Sequence, residues 1–129
     1  YDILIGMDAT VYPSYYEPWG YTPLESIAFG IPTITTNLAG FGLWAKKHLS
    51  GEKIEEGVVV INRTDDNYFD VANMICQSIQ KLSTKSSKET SSIKSACFTL
   101  AAQAEWSKFI VHYFEAFRIA ERNSSKRTR

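Results

Sequence analysis

Little in this chain announces a metal, a redox pair or a charged surface. Only two cysteines and two histidines occur among 129 residues. Cys76 and Cys97 both fall in apolar patterns of helical spacing, which favours buried free thiols over a disulfide. His48 and His112 stand alone, without a cysteine or second histidine at metal-ligand spacing. Each reads as a surface or core histidine, and no metal or cofactor is expected. The formal charge sums to zero. This argues against nucleic acid or a membrane surface as a partner held by bulk electrostatics. The one basic cluster, Lys126-Arg127-Thr128-Arg129, reads as a solvated terminus. No apolar run approaches the ~20 residues of a membrane span, and no secretory signal opens the chain. The glycosylation sequons at Asn62–Thr64 and Asn123–Ser125 therefore read as chance. No nucleophile elbow is present, so a serine hydrolase of that design is not supported. The first residue is Tyr1 rather than Met, and the chain reads as a piece of something longer.

What is present suits one α/β domain. The length and the 44% hydrophobic content are enough for a core. Residues 1–8 read as strand or short helix, since periodicity does not separate the two. Ala9 to Ser14 reads as a short strand. A helix runs from Thr22 through Leu24, Ile27 and Ala28 to a stop at Gly30, with Thr22 as N-cap, Pro23 at the first position and Glu25 at the third. Thr33 to Thr36 is a β-branched, buried strand. Asn37 to Gly42 is a glycine-rich loop, and a helix follows from about Leu43 to His48. Gly57 to Ile61 is the strongest strand, and its continuous apolar character predicts cover on both faces. Three helices close the chain. Their apolar stripes are Tyr68, Ala72, Ile75, Ile79 and Leu82, then Ile93, Cys97, Leu100 and Ala104, then Trp106, Ile110, Tyr113 and Phe117. Ser83 to Ser92 reads as a mobile polar connector. Strands alternating with helices predict a parallel sheet.

The run from Tyr12 to Glu25 carries most of the chemistry. It follows a strand, contains Pro13, Pro18 and Gly20 among aromatics, and ends at a helix start. In open parallel sheets ligands bind at the carboxyl ends of the strands. Backbone N–H groups of Gly20, Tyr21 and Thr22 can meet a phosphate there, aided by the helix dipole. Glu17 lies in the loop itself. Its carboxylate accepts hydrogen bonds from hydroxyls and repels a phosphate placed on it. The pair therefore favours a ligand with both a diphosphate and a sugar, with Glu17 on the sugar side. Tyr15, Tyr16, Trp19 and Tyr21 are available to stack on sugar or base. Two structural readings stand beside this: Glu25 as no more than the partner of a capping box, and Tyr12 and Tyr16 in half-buried core positions.

With these residues assembled, the chain resembles the glycogen synthases, retaining glycosyltransferases of the GT-B fold. The stretch Pro13-Ser-Tyr-Tyr-Glu-Pro-Trp-Gly-Tyr-Thr-Pro-Leu-Glu25 is similar to the animal and fungal type. Ile31-Pro-Thr-Ile-Thr-Thr-Asn-Leu-Ala-Gly-Phe-Gly42 extends the match, and Glu105-Trp106 with Tyr113 to Arg118 resembles the closing helix. The resemblance implies a Rossmann-like parallel sheet with flanking helices, forming part of a C-terminal nucleotide-sugar-binding domain. Residues 1–129 would all belong to it, with closing helices about 91–121 and a tail at 122–129. Residues 1–8 would be helical.

The same resemblance implies the roles. Glu17 is the catalytic acid nearest the donor glucose, and Glu25 contacts the ribose. Gly20, Tyr21 and Thr22 line the diphosphate, with Trp19 beside them, and Tyr1 stacks on the base. UDP-glucose is the favoured donor, no metal is required, and the setting is cytoplasmic. The glucan acceptor would bind through an N-terminal domain outside this sequence, as would the arginine and lysine that neutralise the leaving diphosphate. The piece alone is therefore expected to be inactive, and its open sheet edge to favour self-association. Ser83–Glu105 contains no arginine, where the animal and fungal enzymes carry an arginine-rich helix that senses a sugar phosphate. Insensitivity of the parent enzyme to glucose 6-phosphate is the expectation. Two other readings keep the residues but change the function: a GT-B transferase with a different acceptor, or a non-catalytic interaction domain.

Overall fold

Residues 2–51 and 53–127 are described by a computed structural model. The elements run α1 (Asp2–Ile5), β1 (Thr10–Val11), α2 (Tyr21–Ala28), β2 (Thr33–Thr36), α3 (Gly40–Lys46), β3 (Val58–Ile61), α4 (Tyr68–Ser83), α5 (Ser87–Ala101) and α6 (Trp106–Arg127). Short 3-10 turns at Ile54–Glu56 and Ala102–Ala104 complete the order. The strands form one parallel sheet in the order β1-β2-β3. Thr10 pairs with Thr33, and Thr33 in turn with Val58. All carboxyl ends therefore lie on one edge, where the loops after β1, β2 and β3 meet.

Alternation along β3 explains why its run is wholly apolar. Val58 and Val60 point into a cluster with Ile27, Phe41, Ala45, Ile93, Cys97 and Leu100. Val59 and Ile61 point to the other face, with Ile34, Ile54 and Val71. Both faces are covered, as the sequence pattern requires. In β2 the threonines are buried, and the Thr33 hydroxyl meets that of Thr10 in β1. The Thr33 hydroxyl donates to the Ile31 carbonyl at 3.1 Å, so the Thr10 hydroxyl is the donor in their 2.8 Å contact. No helix among the described residues is long and apolar enough to cross a membrane.

Several local expectations need correction. The helix expected from Leu43 begins at Gly40, because Gly40 and Gly42 fit directly against the carbonyl oxygens of Pro18 and Thr36. The polar segment expected as a connector is largely helical, since α5 starts at Ser87. Ser86 and Glu89 form a reciprocal capping box there, a start signal that the Ser/Thr/Lys composition hid. Helix α6 continues to Arg127, through most of the expected tail. In α4 the buried residue is Val71, whereas Tyr68, Ala72 and Ile79 are exposed. The α6 stripe is not buried either: Trp106, Tyr113 and Phe117 are exposed and Ile110 half-buried. That helix meets the body chiefly at its start, on the turn before it and through Phe109 against Trp19. Ala104 falls in the turn beyond α5. Cys76 is exposed on α4 rather than buried. Cys97 is fully buried, and burial pushes its thiol up to about 12.

The α5 start also carries the clearest electrostatic signature. Glu89 accepts from the Ser86 hydroxyl at 2.7 Å and from the Ser86 N–H at 2.9 Å. Lys85 bridges it to Glu55, at 3.3 and 2.6 Å respectively. The Ser86 hydrogen bonds first, then Lys85, hold the Glu89 carboxyl down from the usual 4.5 to about 2. A depressed carboxyl stabilises the fold above its unfolded value and loses that contribution as pH falls through its folded value. Glu89→Gln is therefore expected to lower the melting temperature at pH 7. The gap to wild type should narrow between pH 4.5 and about 2. Thermal melts across that range check it, and a gap unchanged by pH would contradict it.

Candidate functional site

The loop after β1 is fixed by the loop after β2. The Glu17 N–H donates to the Leu38 carbonyl at 3.3 Å, and the Gly40 N–H donates back to the Glu17 carbonyl at 3.0 Å. Glu17 and Ala39 thus form a parallel bridge outside the main sheet. The Phe41 N–H adds a 2.6 Å bond to the Trp19 carbonyl. The Thr36 hydroxyl donates to the Ser14 carbonyl at 2.7 Å. A segment with no regular structure of its own thereby acquires a defined backbone path.

That path delivers Glu17 to the start of α2. Gly20 is the N-cap, at φ 97° and ψ 83°, a left-handed conformation that glycine adopts at little cost. A side chain on Gly20 would come within 3.3 Å of Glu17 Cγ and 3.2 Å of Pro23 Cγ. The Glu17 stem therefore lies beside the helix opening, with its carboxylate exposed. The expected capping box of Thr22 and Glu25 is absent. The cap falls at Gly20 rather than Thr22, so the first helical residue is Tyr21, two positions earlier than expected, and the cap makes no side-chain hydrogen bond. Pro23 tolerates this register because the first N–H groups of a helix have no internal acceptor to lose. Tyr21 and Thr22 consequently present the opening N–H groups.

Thr22 and Glu25, three residues apart, share one face of α2. They line a cavity of about 510 Å³ together with Tyr12 and with Asp2, Ile3, Leu4 and Met7 of the α1 region. Of residues 1–8, for which the family resemblance implies helix, Asp2–Ile5 are helical and Gly6–Asp8 are not. Tyr12 is held as a structural residue. Ser26 gives its hydrogen to the Thr22 carbonyl at 2.9 Å, so the Tyr12 hydroxyl donates to Ser26 Oγ at 3.0 Å. Tyr16, in contrast, is exposed rather than half-buried. The expected base-stacking residue, Tyr1, lies outside the described residues.

Trp19 serves the loop's anchorage. Its ring sits 6.4 Å from Phe41, 6.0 Å from Trp44 and 5.9 Å from Phe109, tying the loop to α3 and α6. It also borders a second cavity, of about 340 Å³, with Tyr21, Leu24, Trp106 and Tyr113 among its walls. Glu17, Gly20, Tyr21 and Thr22 thus come together at one point, Glu25 faces the adjoining cavity, and Trp19 braces them. Among the described residues no group of His, Cys, Asp or Glu is arranged to hold a metal ion.

Sequence reasoning passed over Arg63. It is buried just after β3, and its Nη1 donates to the Pro13 carbonyl at 2.9 Å. The available signal was its isolation: no other arginine precedes Arg118.

These features define a parallel α/β unit whose strand-end loops present an acid beside a glycine-opened helix start. The model of the family "Glycogen synthase" matches residues 1–126, and the chain belongs to the glycogen synthase family. It is 32% identical over 119 residues to a glycogen [starch] synthase of Caenorhabditis elegans, covering 92% of this chain and 18% of that protein. It is 30% identical over 123 residues to the Neurospora crassa protein of the same name, covering 95% and 17%. Isoform 1 from Saccharomyces cerevisiae is 26% identical over 120 residues, covering 92% and 17%. The animal and fungal resemblance is thus borne out. The chain spans less than a fifth of the length of these relatives.

The stitched loops give a direct test. A methyl group at position 40 would collide with the Pro18 carbonyl, a backbone atom that cannot swing away. Gly40→Ala is expected to destabilise the protein by about 1–3 kcal/mol, read from denaturant melts. A neutral effect would show that the two loops are not in fixed contact.

Proposed function

We propose that this chain is the donor-binding part of a retaining glycosyltransferase of the GT-B fold, one that transfers glucose from a nucleotide sugar to an α-glucan. UDP-glucose is the favoured donor. The single observation that carries the reading is the Glu17 stem lying against Gly20 at the opening of α2. A hydroxyl-binding carboxylate and an anion-binding helix start then sit side by side, which matches the two halves of a sugar diphosphate.

In this reading the N–H groups of Tyr21 and Thr22 meet the diphosphate, and Gly20 lets it approach. Glu17 accepts hydrogen bonds from the glucose hydroxyls. Glu25, one turn along the same helix, takes the ribose hydroxyls, with Thr22 beside it in the cavity. The apolar wall from Ile3, Leu4 and Met7 flanks the base, with Tyr1 as its stacking partner. The favourable field of the helix start grows in value as the glucosyl–phosphate bond breaks and negative charge collects on the departing diphosphate. No metal or cofactor has a part in this scheme. Activity, the glucan acceptor and a cytoplasmic setting belong to the longer polypeptide, and the 129-residue chain alone is inactive. Taken alone, the chain leaves β1 as an open sheet edge, and copies of it self-associate there.

The test is Glu17→Gln in the full-length enzyme. We expect kcat to fall by about 100-fold or more. The melting temperature should hardly move, because Glu17 is exposed. Wild-type turnover in the variant would remove Glu17 from the chemistry and return weight to a non-catalytic interaction domain.

A further inference from the structure

Arg63 holds a charge where charges are rarely found. It is 5% exposed, and a guanidinium cannot shed its proton to relieve burial. No carboxylate forms an ion pair with it among the described residues. Its Nε has no hydrogen-bond partner. A side chain kept for stability alone would be better compensated. What Arg63 does have is two contacts with one short segment. Nη1 donates to the Pro13 carbonyl at 2.9 Å. The guanidinium lies over the Tyr15 ring, 3.5 Å from its centroid, the face on which a cation is attracted.

The backbone of Arg63 is anchored as firmly as its head. Its N–H donates to Asn37 Oδ1 at 2.6 Å, and the Asn37 N–H donates to the Ile61 carbonyl at 3.0 Å. A single residue after β3 therefore touches the loop after β1 and the loop after β2. Pro13 and Tyr15 are pinned from below, Ser14 is held by Thr36, and Glu17 follows two residues later.

We propose that Arg63 is a positioning residue for Glu17, acting through the Tyr15 stack. The inference rests on the reading of Glu17 as the acid at the donor sugar. The clamp needs a planar group that stacks and donates at once. A lysine supplies the charge but not the plane. If the clamp loosens, Glu17 remains in the loop but loses its approach to the sugar. The loss falls on turnover more than on donor binding, because the Arg63 side chain touches Pro13 and Tyr15 and lines neither the helix start nor the Glu25 cavity.

The experiment uses the full-length enzyme with UDP-glucose and glycogen. Arg63→Lys is expected to lower kcat roughly 10- to 100-fold while the donor KM moves less than about threefold. Tyr15→Leu, which leaves the arginine in place, should show a loss of the same order. Tyr15→Phe keeps the ring and should stay within about twofold of wild type. The Arg63→Lys/Tyr15→Leu double variant should be no worse than about twofold below the weaker single one, because both act through one contact. Wild-type kcat in folded Arg63→Lys, or in Tyr15→Leu, would overturn the proposal. Should Arg63→Lys fail to fold, Tyr15→Leu decides alone. Loss confined to thermal stability, with kcat per folded molecule unchanged, also overturns it. An inert wild type is a different failure: it removes the transfer reaction itself and the inference with it.

Discussion

The backbone exchange between Glu17 and the Leu38–Gly40 segment is the constraint on which the site depends. A loop rich in proline and aromatics has few conformations, but few is not one. The reciprocal bonds of Glu17 with Leu38 and Gly40, and that of Phe41 with Trp19, select among them. They require Gly40, since any side chain there meets the Pro18 carbonyl. They also require the strands to be parallel and in register, because only then do both loops leave the sheet at the same edge. The sheet is small, yet it is buried on both faces and gives these loops a firm base.

From that base the chemistry follows in short steps. Gly20 turns the chain in a left-handed conformation, which opens α2 at Tyr21 without a side-chain cap. The aromatic cluster of Trp19, Phe41, Trp44 and Phe109 keeps the loop from lifting. Arg63 supports the same loop from the third strand. Every strand end thus contributes to the position of one exposed carboxylate.

Much of this was legible in the residues. The apolar run at Val58–Ile61 and the β-branched run at Thr33–Thr36 are too regular to be anything but buried strands, and they are. That a helix opens close after Gly20 was readable from Pro23 and the turn residues, though its cap was not. What was not legible depends on contacts distant in sequence. The early start of α3 needs Gly40 and Gly42 to meet Pro18 and Thr36. The N-cap at Gly20 overrides a plausible Thr22 and Glu25 box because loop stitching sets where the helix begins. Arg63 contacts Pro13 across fifty positions of sequence, and no local pattern encodes that. The stripe of α6 was read as buried from periodicity alone. Periodicity shows that one face is apolar, not what lies against it.

The most direct test of the central claim is calorimetric titration of the full-length enzyme with UDP-glucose, beside Glu25→Gln. The account predicts saturable binding by the wild type and roughly tenfold weaker binding by the variant, the loss of a charge-assisted hydrogen bond to the donor. Undiminished binding by Glu25→Gln would take the α2 cavity out of the donor site, and absence of binding by the wild type would contradict the account as a whole.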